Sequence, residues 1–326
     1  MLPGRRNIAM RENRKEKDMD TTVKESKTGI KNGVKCAFIF MLMTLGVSQI
    51  FIMILPFLPS QICEILGMLL GTVLALCGKC KPEKGTLTAV RNKMTGTCFV
   101  VVLGAFLLAK LLSLGAAAVL VTLLVNDSNA AALSDIAGKG ENLLLSFLFM
   151  GVFTPLCEEA VFRGCIGSNY RKHGIWFAML MSTLLFSLYH CNLFQLFSTF
   201  LPGIVLFYVA MNYSIKWSVV LHFINNGVLS IGSSALQKLC PDSFFAGYGE
   251  YIIEAVLVIA ALLLMKKEHA IEKVRAFLSG PENEKGAYRS ATGNIWFILI
   301  VLAVAVVSAL MLFIVSGNLP ELPAIS

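Results

Sequence analysis

The chain has 326 residues, 56% of them hydrophobic and 15% charged, with a mean hydropathy of +0.73. Soluble domains average roughly 45–50% apolar and about 25% charged residues, so a soluble globular class is excluded and an all-α, polytopic transmembrane helical bundle is predicted. The net charge of +8 does not point to nucleic acid, because the basic residues fall between apolar runs rather than in one patch.

A bilayer core of ~30 Å is crossed by about 20 mostly apolar residues. Nine runs are candidates: 34–58, 61–78, 97–125, 142–167, 174–191, 193–212, 217–237, 250–266 and 293–316, of which the second and fifth are short, giving about eight to nine spans. The segment before them, residues 1–33, is charged and poor in apolar side chains, and is predicted to be a disordered cytoplasmic tail. The first run is about 25 residues long and follows that tail, so it reads as an anchor rather than a cleaved leader.

Charge alternates from loop to loop. Ten Lys and Arg precede or open the first run, and none lies in "PFLPSQ". Lys79, Lys81, Lys84, Arg91 and Lys93 follow the second run, whereas "NDSNAAALSDIAGKGEN" has only Lys139. Arg171 and Lys172, Lys216, and the six Lys and Arg of "KKEHAIEKVRAFLSGPENEKGAYR" continue the pattern, with basic-poor loops between them. Nine spans with a cytoplasmic N-terminus satisfy the positive-inside rule, and a bacterial plasma membrane is the expected location. The organisation predicted is a tail (1–33), N-terminal transmembrane helices (34–141), a core (142–237) and C-terminal helices (238–326) with a polar, partly helical linker at 267–292. Most of the nine cysteines lie in or beside apolar runs, where thiols act as small hydrophobes. The Cys77/Cys80 pair lacks the second pair that a zinc ribbon needs and reads as packing.

Ionisable groups inside a span cost roughly 2.5–3.5 kcal/mol each and are functional candidates by default. They are Lys110, Glu158, Glu159, Arg163, His190 and His222, while Glu64 and Glu254 sit near run ends and are expected to reach the interface. Lys110 either pairs with a buried carboxylate or snorkels. His173 and His269 fall in loops and look bland. In "PLCEEAVFRG", Glu159 and Arg163 are in the favourable i,i+4 order for an ion pair. Glu158 then faces another way without that partner, a setting suited to a general base. Pro155 removes a backbone donor and is expected to open the helix locally. The bland alternative places both glutamates at a helix end among headgroups. In "STLLFSLYHCN", Phe186 and His190 share a face, with Ser187 and Tyr189 nearby; in "VVLHFINNGV", His222 and Asn226 share one, and Asn225 is turned away. Each set alone could be a structural hydrogen-bonding pair.

Together they have one chemistry. A glutamate to take a proton from water, two imidazoles to bind a metal or an oxyanion, and an amide to donate to developing charge make a water-activating site. "EEAVFRG", "FSLYH" and "HFINN" resemble the E-E-x-x-x-R, F-x-x-x-H and H-x-x-x-N motifs of the CAAX-protease and bacteriocin-processing intramembrane proteases. The resemblance covers about 142–237. It implies Glu158 as catalytic base, Glu159 as the second glutamate, and Arg163, His190, His222 and Asn226 as motif residues. It also implies a metallo- or glutamate-type endopeptidase acting on a membrane-associated peptide or protein, such as a CAAX-like, bacteriocin or signalling-peptide precursor. Zinc, with His190, His222 and Glu158 as ligands, is one expectation and a metal-independent site the other. A proton-coupled transporter and a non-catalytic, peptide-binding immunity protein are the rival classes; H-E-x-x-H is absent. The predicted ends leave one conflict. They put His222 about 5, Glu158 about 10 and His190 about 16 residues from the basic side, a spread of roughly 16 Å.

Overall fold

A computed structural model describes Thr21 and residues 24–124 and 142–315. The predicted loop 126–141 and most of the N-terminal tail therefore lie outside the described residues, as does the tail after Val315. Among the described residues all regular structure is helical. Eight helices among the described residues are long and apolar enough to cross a membrane. Five of them precede the core's end: α1 (Lys24–Ile54), α2 (Ser60–Cys77), α3 (Gly96–Leu124), α4 (Leu143–His173) and α6 (Leu193–Asn212). The others are α7 (Ile215–Leu239), α8 (Phe244–Leu264) and α11 (Ile295–Val315). The shorter α5 (Ile175–Leu188) lies between α4 and α6, and α9 (Ala270–Leu278) and α10 (Ala287–Thr292) occupy the polar linker.

The largest difference from expectation is at the start. Residues 24–33, predicted as tail, are helical and continuous with the first span. Their charged positions lie on one side only: Ile30 is fully buried, and the Tyr170 hydroxyl donates to the Ile30 carbonyl at 2.8 Å. His173, bland in the sequence, is buried under the same segment and bonds Glu284 through Nδ1 at 2.7 Å. Burial pushes the Glu284 carboxyl up, but the Ser26 hydroxyl, donating at 2.5 Å, and the His173 ring more than offset this and hold it below its ordinary range. The chain turns between α4 and α5 at Gly174, whose φ of 117° disfavours any residue with a Cβ.

Small residues let the core helices close on one another. A Cβ on Gly151 of α4 would lie 2.9 Å from the Gly227 Cα of α7, so these two backbones touch. Among the described residues four stretches carry widened π turns: Leu42–Val47, Phe147–Phe153, Glu159–Gly167 and Ile224–Ile231. Such turns are frequent at functional sites.

Lys110, left open by the sequence, is paired. Its Nζ lies 2.9 Å from Glu250 Oε1 and 2.6 Å from Glu254 Oε1, tying α3 to α8. Glu254 is not at an interface as predicted; α8 starts at Phe244 rather than near 250, which places Glu254 well inside the helix with 1% exposure. Lys110→Met strands both carboxylates, and an unsatisfied charged group costs about 2 kcal/mol or more. A lower melting temperature is expected for Lys110→Met in detergent, partly restored by adding Glu254→Gln; a single variant that melts like the wild type would refute the pairing as a structural tie.

Candidate active site

α4 runs past its predicted end at 167 to His173. Glu158 is thus 15 residues before the α4–α5 turn, and His190 is 15 residues after Ile175, where α5 begins. At 1.5 Å per residue both lie about 22 Å from that turn, so an antiparallel hairpin sets them opposite each other. This removes most of the conflict in depth. The rest follows from α7, whose start is sunk. Tyr213, Ser214 and Ile215 are all buried, and loop 78–95 passes over them, the Arg91 amide donating to the Tyr213 carbonyl at 2.8 Å. His222, near the start of α7, therefore reaches the depth of Glu158.

Glu158 is 1% exposed and accepts a hydrogen bond from the Tyr189 hydroxyl at Oε1, 2.5 Å. Its other oxygen, Oε2, is 3.7 Å from His222 Nε2. The predicted Glu159–Arg163 pair is present: Arg163 Nη1 stands 3.1 Å from Glu159 Oε1, both side chains fully buried. This is a contact of charges rather than an aligned hydrogen bond, since Nη1 aims its hydrogens at no acceptor. Arg163 is held on two further sides, donating from Nη2 to the Gly203 carbonyl at 3.2 Å and resting 4.2 Å from the Phe186 ring centre.

Glu159 faces away from the cavity and holds His222. Its Oε1 is 3.1 Å from His222 Nδ1, and its Oε2 accepts from the Ser218 hydroxyl at 2.5 Å. A carboxylate on Nδ1 assigns the proton there in the neutral ring and leaves Nε2 as the lone-pair nitrogen towards Glu158 and Asn226. Asn226 Nδ2 lies 3.4 Å from that Nε2 and donates to the Met150 carbonyl at 3.3 Å. The reason is local. In the widened turn the Thr154 amide bonds Phe149, five residues back. The next amide in that ladder would serve Met150 but belongs to Pro155, which has no N–H. The proline does not break the helix; it frees one carbonyl, and Asn226 takes it.

His190 follows α5, where its Nδ1 bonds the Phe186 carbonyl at 2.9 Å, so its Nε2 carries the ring's free valence. Glu158, His190, His222 and Asn226 all line one cavity of about 430 Å³. Glu64 and Lys110 line it as well. All four predicted cavity residues are brought together, whereas Glu159 and Arg163 support them from behind. Sequence reasoning missed Ser218 and Asn225, and gave Tyr189 no role. Ser218 was legible as the residue four before His222, on the same helical face. Asn225 was placed on the far side, yet it lines the cavity and donates to Asn226 Oδ1 at 2.8 Å, because the widened turn at Ile224–Ile231 rotates it inward.

Three comparisons with known proteins bear on this site. Residues 140–228 match a family model described as Rce1-like, type II CAAX prenyl endopeptidase. This segment is similar to the CAAX-protease family. The match spans α4 to the middle of α7, the helices that carry Glu158, Glu159, Arg163, His190, Ser218, His222 and Asn226 or flank them. No curated protein and no solved structure matches the chain. The matched segment is held within a larger helical bundle, with α1, α2 and α3 also contributing to the cavity wall through Thr44, Glu64 and Lys110.

Glu158, His190 and His222, the residues expected to hold zinc, line one cavity, and the Glu159 carboxylate on His222 Nδ1 is the kind of partner a metal-bound imidazole takes. Among the described residues, however, no group of three or more His, Cys, Asp or Glu is drawn close enough to hold a metal ion.

The Tyr189 hydroxyl holds one oxygen of Glu158 in place. A hydrogen bond to a charged group contributes about 1.5–3 kcal/mol, so Tyr189→Phe, by loosening Glu158, is expected to lower kcat about tenfold or more. Its KM should stay close to wild type, while the lost bond to a buried carboxylate also lowers the melting temperature; a fall in melting temperature with kcat intact would make the hydroxyl structural only.

Proposed function

We propose that the chain is an intramembrane endopeptidase of glutamate type that cleaves a membrane-associated peptide or protein precursor. The observation that carries this reading is the meeting of Glu158, His190, His222 and Asn226, from different helices, around one cavity. Glu158 Oε2, the oxygen not engaged by Tyr189, takes a proton from water as the water oxygen attacks the scissile carbonyl carbon. With a second proton on Nε2, His190 would donate to the oxygen of the tetrahedral intermediate as its negative charge develops, and Asn226, lining the same cavity, holds the lone-pair side of His222. As the carbon–nitrogen bond breaks, the proton held on Glu158 passes to the leaving amine. Glu159, neutralised by Arg163, keeps the His222 ring in one orientation throughout, the part a buried carboxylate plays behind a catalytic imidazole.

The substrate class that suits this chemistry is a peptide delivered in or along the bilayer, either a prenylated CAAX-type C-terminus or a bacteriocin- or signalling-type precursor. The positive-inside rule would turn the basic loops, and with them the α4–α5 turn, towards the cytoplasm. A comparison of small secreted and membrane peptides from cells carrying wild type and Glu158→Gln, matched for membrane abundance, tests the reading. Accumulation of a precursor with loss of its product is expected. Identical peptide profiles alongside a deletion phenotype would reject proteolysis in favour of transport or binding.

A further inference from the structure

A second cavity, separate from the protease site, opens at the α4–α5 end of the bundle. It measures about 650 Å³ and is walled by Arg91 and Lys93 of loop 78–95, Arg171 near the end of α4, and Lys273 of α9. No carboxylate lines it. Lys273 is paired with Glu268 at 3.1 Å, but Arg91, Lys93 and Arg171 form no ion pair with a described carboxylate. Arg91 spends one donor on the Ala210 carbonyl at 3.0 Å, which fixes it in place. Burial, and then the neighbouring Arg171 charge, holds its guanidinium below the ordinary range. Three cations are therefore gathered against their own repulsion.

The space beside this cavity is apolar. A slot of about 170 Å³ runs between Val101, Val102 and Ala105 of α3, Ile204 and Val205 of α6, and Val274 of α9, with the carboxylate of Glu268, paired to Lys273, in its wall. The two spaces share Tyr213 and Lys273 in their walls. A basic loop at a membrane boundary is ordinary topology, and it accounts for the charges being there. It does not account for their convergence on one cavity, nor for the greasy slot that lies beside it.

We propose that this junction binds one anionic phospholipid, its phosphate among Arg91, Lys93 and Arg171 and an acyl chain in the slot between α3, α6 and α9. Guanidinium groups are suited to phosphate because they offer paired N–H donors in a plane, and basic pockets between helices are lipid headgroup sites. The site adjoins loop 78–95, which covers the sunken start of α7, so the lipid would brace the segment on which His222 depends.

Native mass spectrometry of the delipidated full chain, titrated with phosphatidylglycerol, phosphatidylcholine, farnesyl diphosphate and inorganic phosphate, tests the proposal. Phosphatidylglycerol should bind about tenfold or more tighter than phosphatidylcholine, and Arg91→Gln with Arg171→Gln should remove that preference. Should that double variant fail to fold, Lys93→Gln and Ala105→Trp change exposed positions of the cavity and slot and should each weaken phosphatidylglycerol alone. Equal binding of the two phospholipids, or a preference unmoved in all these variants, would overturn the proposal. Inorganic phosphate binding as tightly as the lipid would deny the slot a role. Farnesyl diphosphate displacing phosphatidylglycerol would reassign the site to an isoprenoid diphosphate.

Discussion

Glu158→Gln should lower the turnover of the cleaved peptide by about 10²–10⁴-fold, the range a positioned general base contributes, with KM little changed. The substitution keeps the shape of the side chain. The Tyr189 hydroxyl can still donate to a carbonyl oxygen where it now meets Oε1 at 2.5 Å. What is lost is the ability of Oε2 to accept a proton in the transition state, so the loss should appear in kcat and kcat/KM together. Stability should not fall, because an amide is less costly to bury than a carboxylate. The measurement is steady-state kinetics on the peptide that accumulates in the mutant cells, with melting temperature in the same detergent as control. A kcat within a factor of about three of wild type would remove Glu158 from the base role. Glu159→Gln makes the informative contrast: it too should reduce turnover, but with a lower melting temperature, because it leaves Arg163 buried without its anion.

Much of this was written in the sequence because intramembrane charges are few and each must be answered. The i,i+4 rule found Glu159–Arg163 and the His222–Asn226 face, and apolar length found the helices. What could not be read was anything set by contacts across helices. The depth conflict came from ending α4 at 167, since nothing apolar marks "SNYRKH" as helix; Tyr170 and His173 are held by partners on α1 and the linker. Lys110 has no local partner in sequence, its carboxylates lying 140 and 144 residues away. The inward turn of Asn225 depends on a widened helical turn, and an assumed 3.6-residue period points it the other way.

The largest structural effect is expected at Arg163. Arg163→Met should lower stability by about 3–5 kcal/mol, the range for breaking a buried ion pair from one side. The methionine roughly fills the volume over Phe186, so the loss is one of charge more than of packing. It strands Glu159 at 0% exposure with only Ser218 and His222 as partners, and it frees the Gly203 carbonyl of α6. Adding Glu159→Gln removes the stranded charge, and the double variant should recover a substantial part of the lost melting temperature. Its activity should not return, because His222 then has an amide rather than a carboxylate on Nδ1 and its ring is no longer fixed. Arg163→Lys should fall between the two, since a point charge cannot serve Glu159, Gly203 and the Phe186 face at once. If Arg163→Met melts with the wild type, the pair is not what holds Glu159 in place. If the double variant recovers turnover along with stability, Glu159 has no part in positioning His222. The split between restored fold and unrestored turnover is therefore the signature of a charge kept in the membrane to aim another residue.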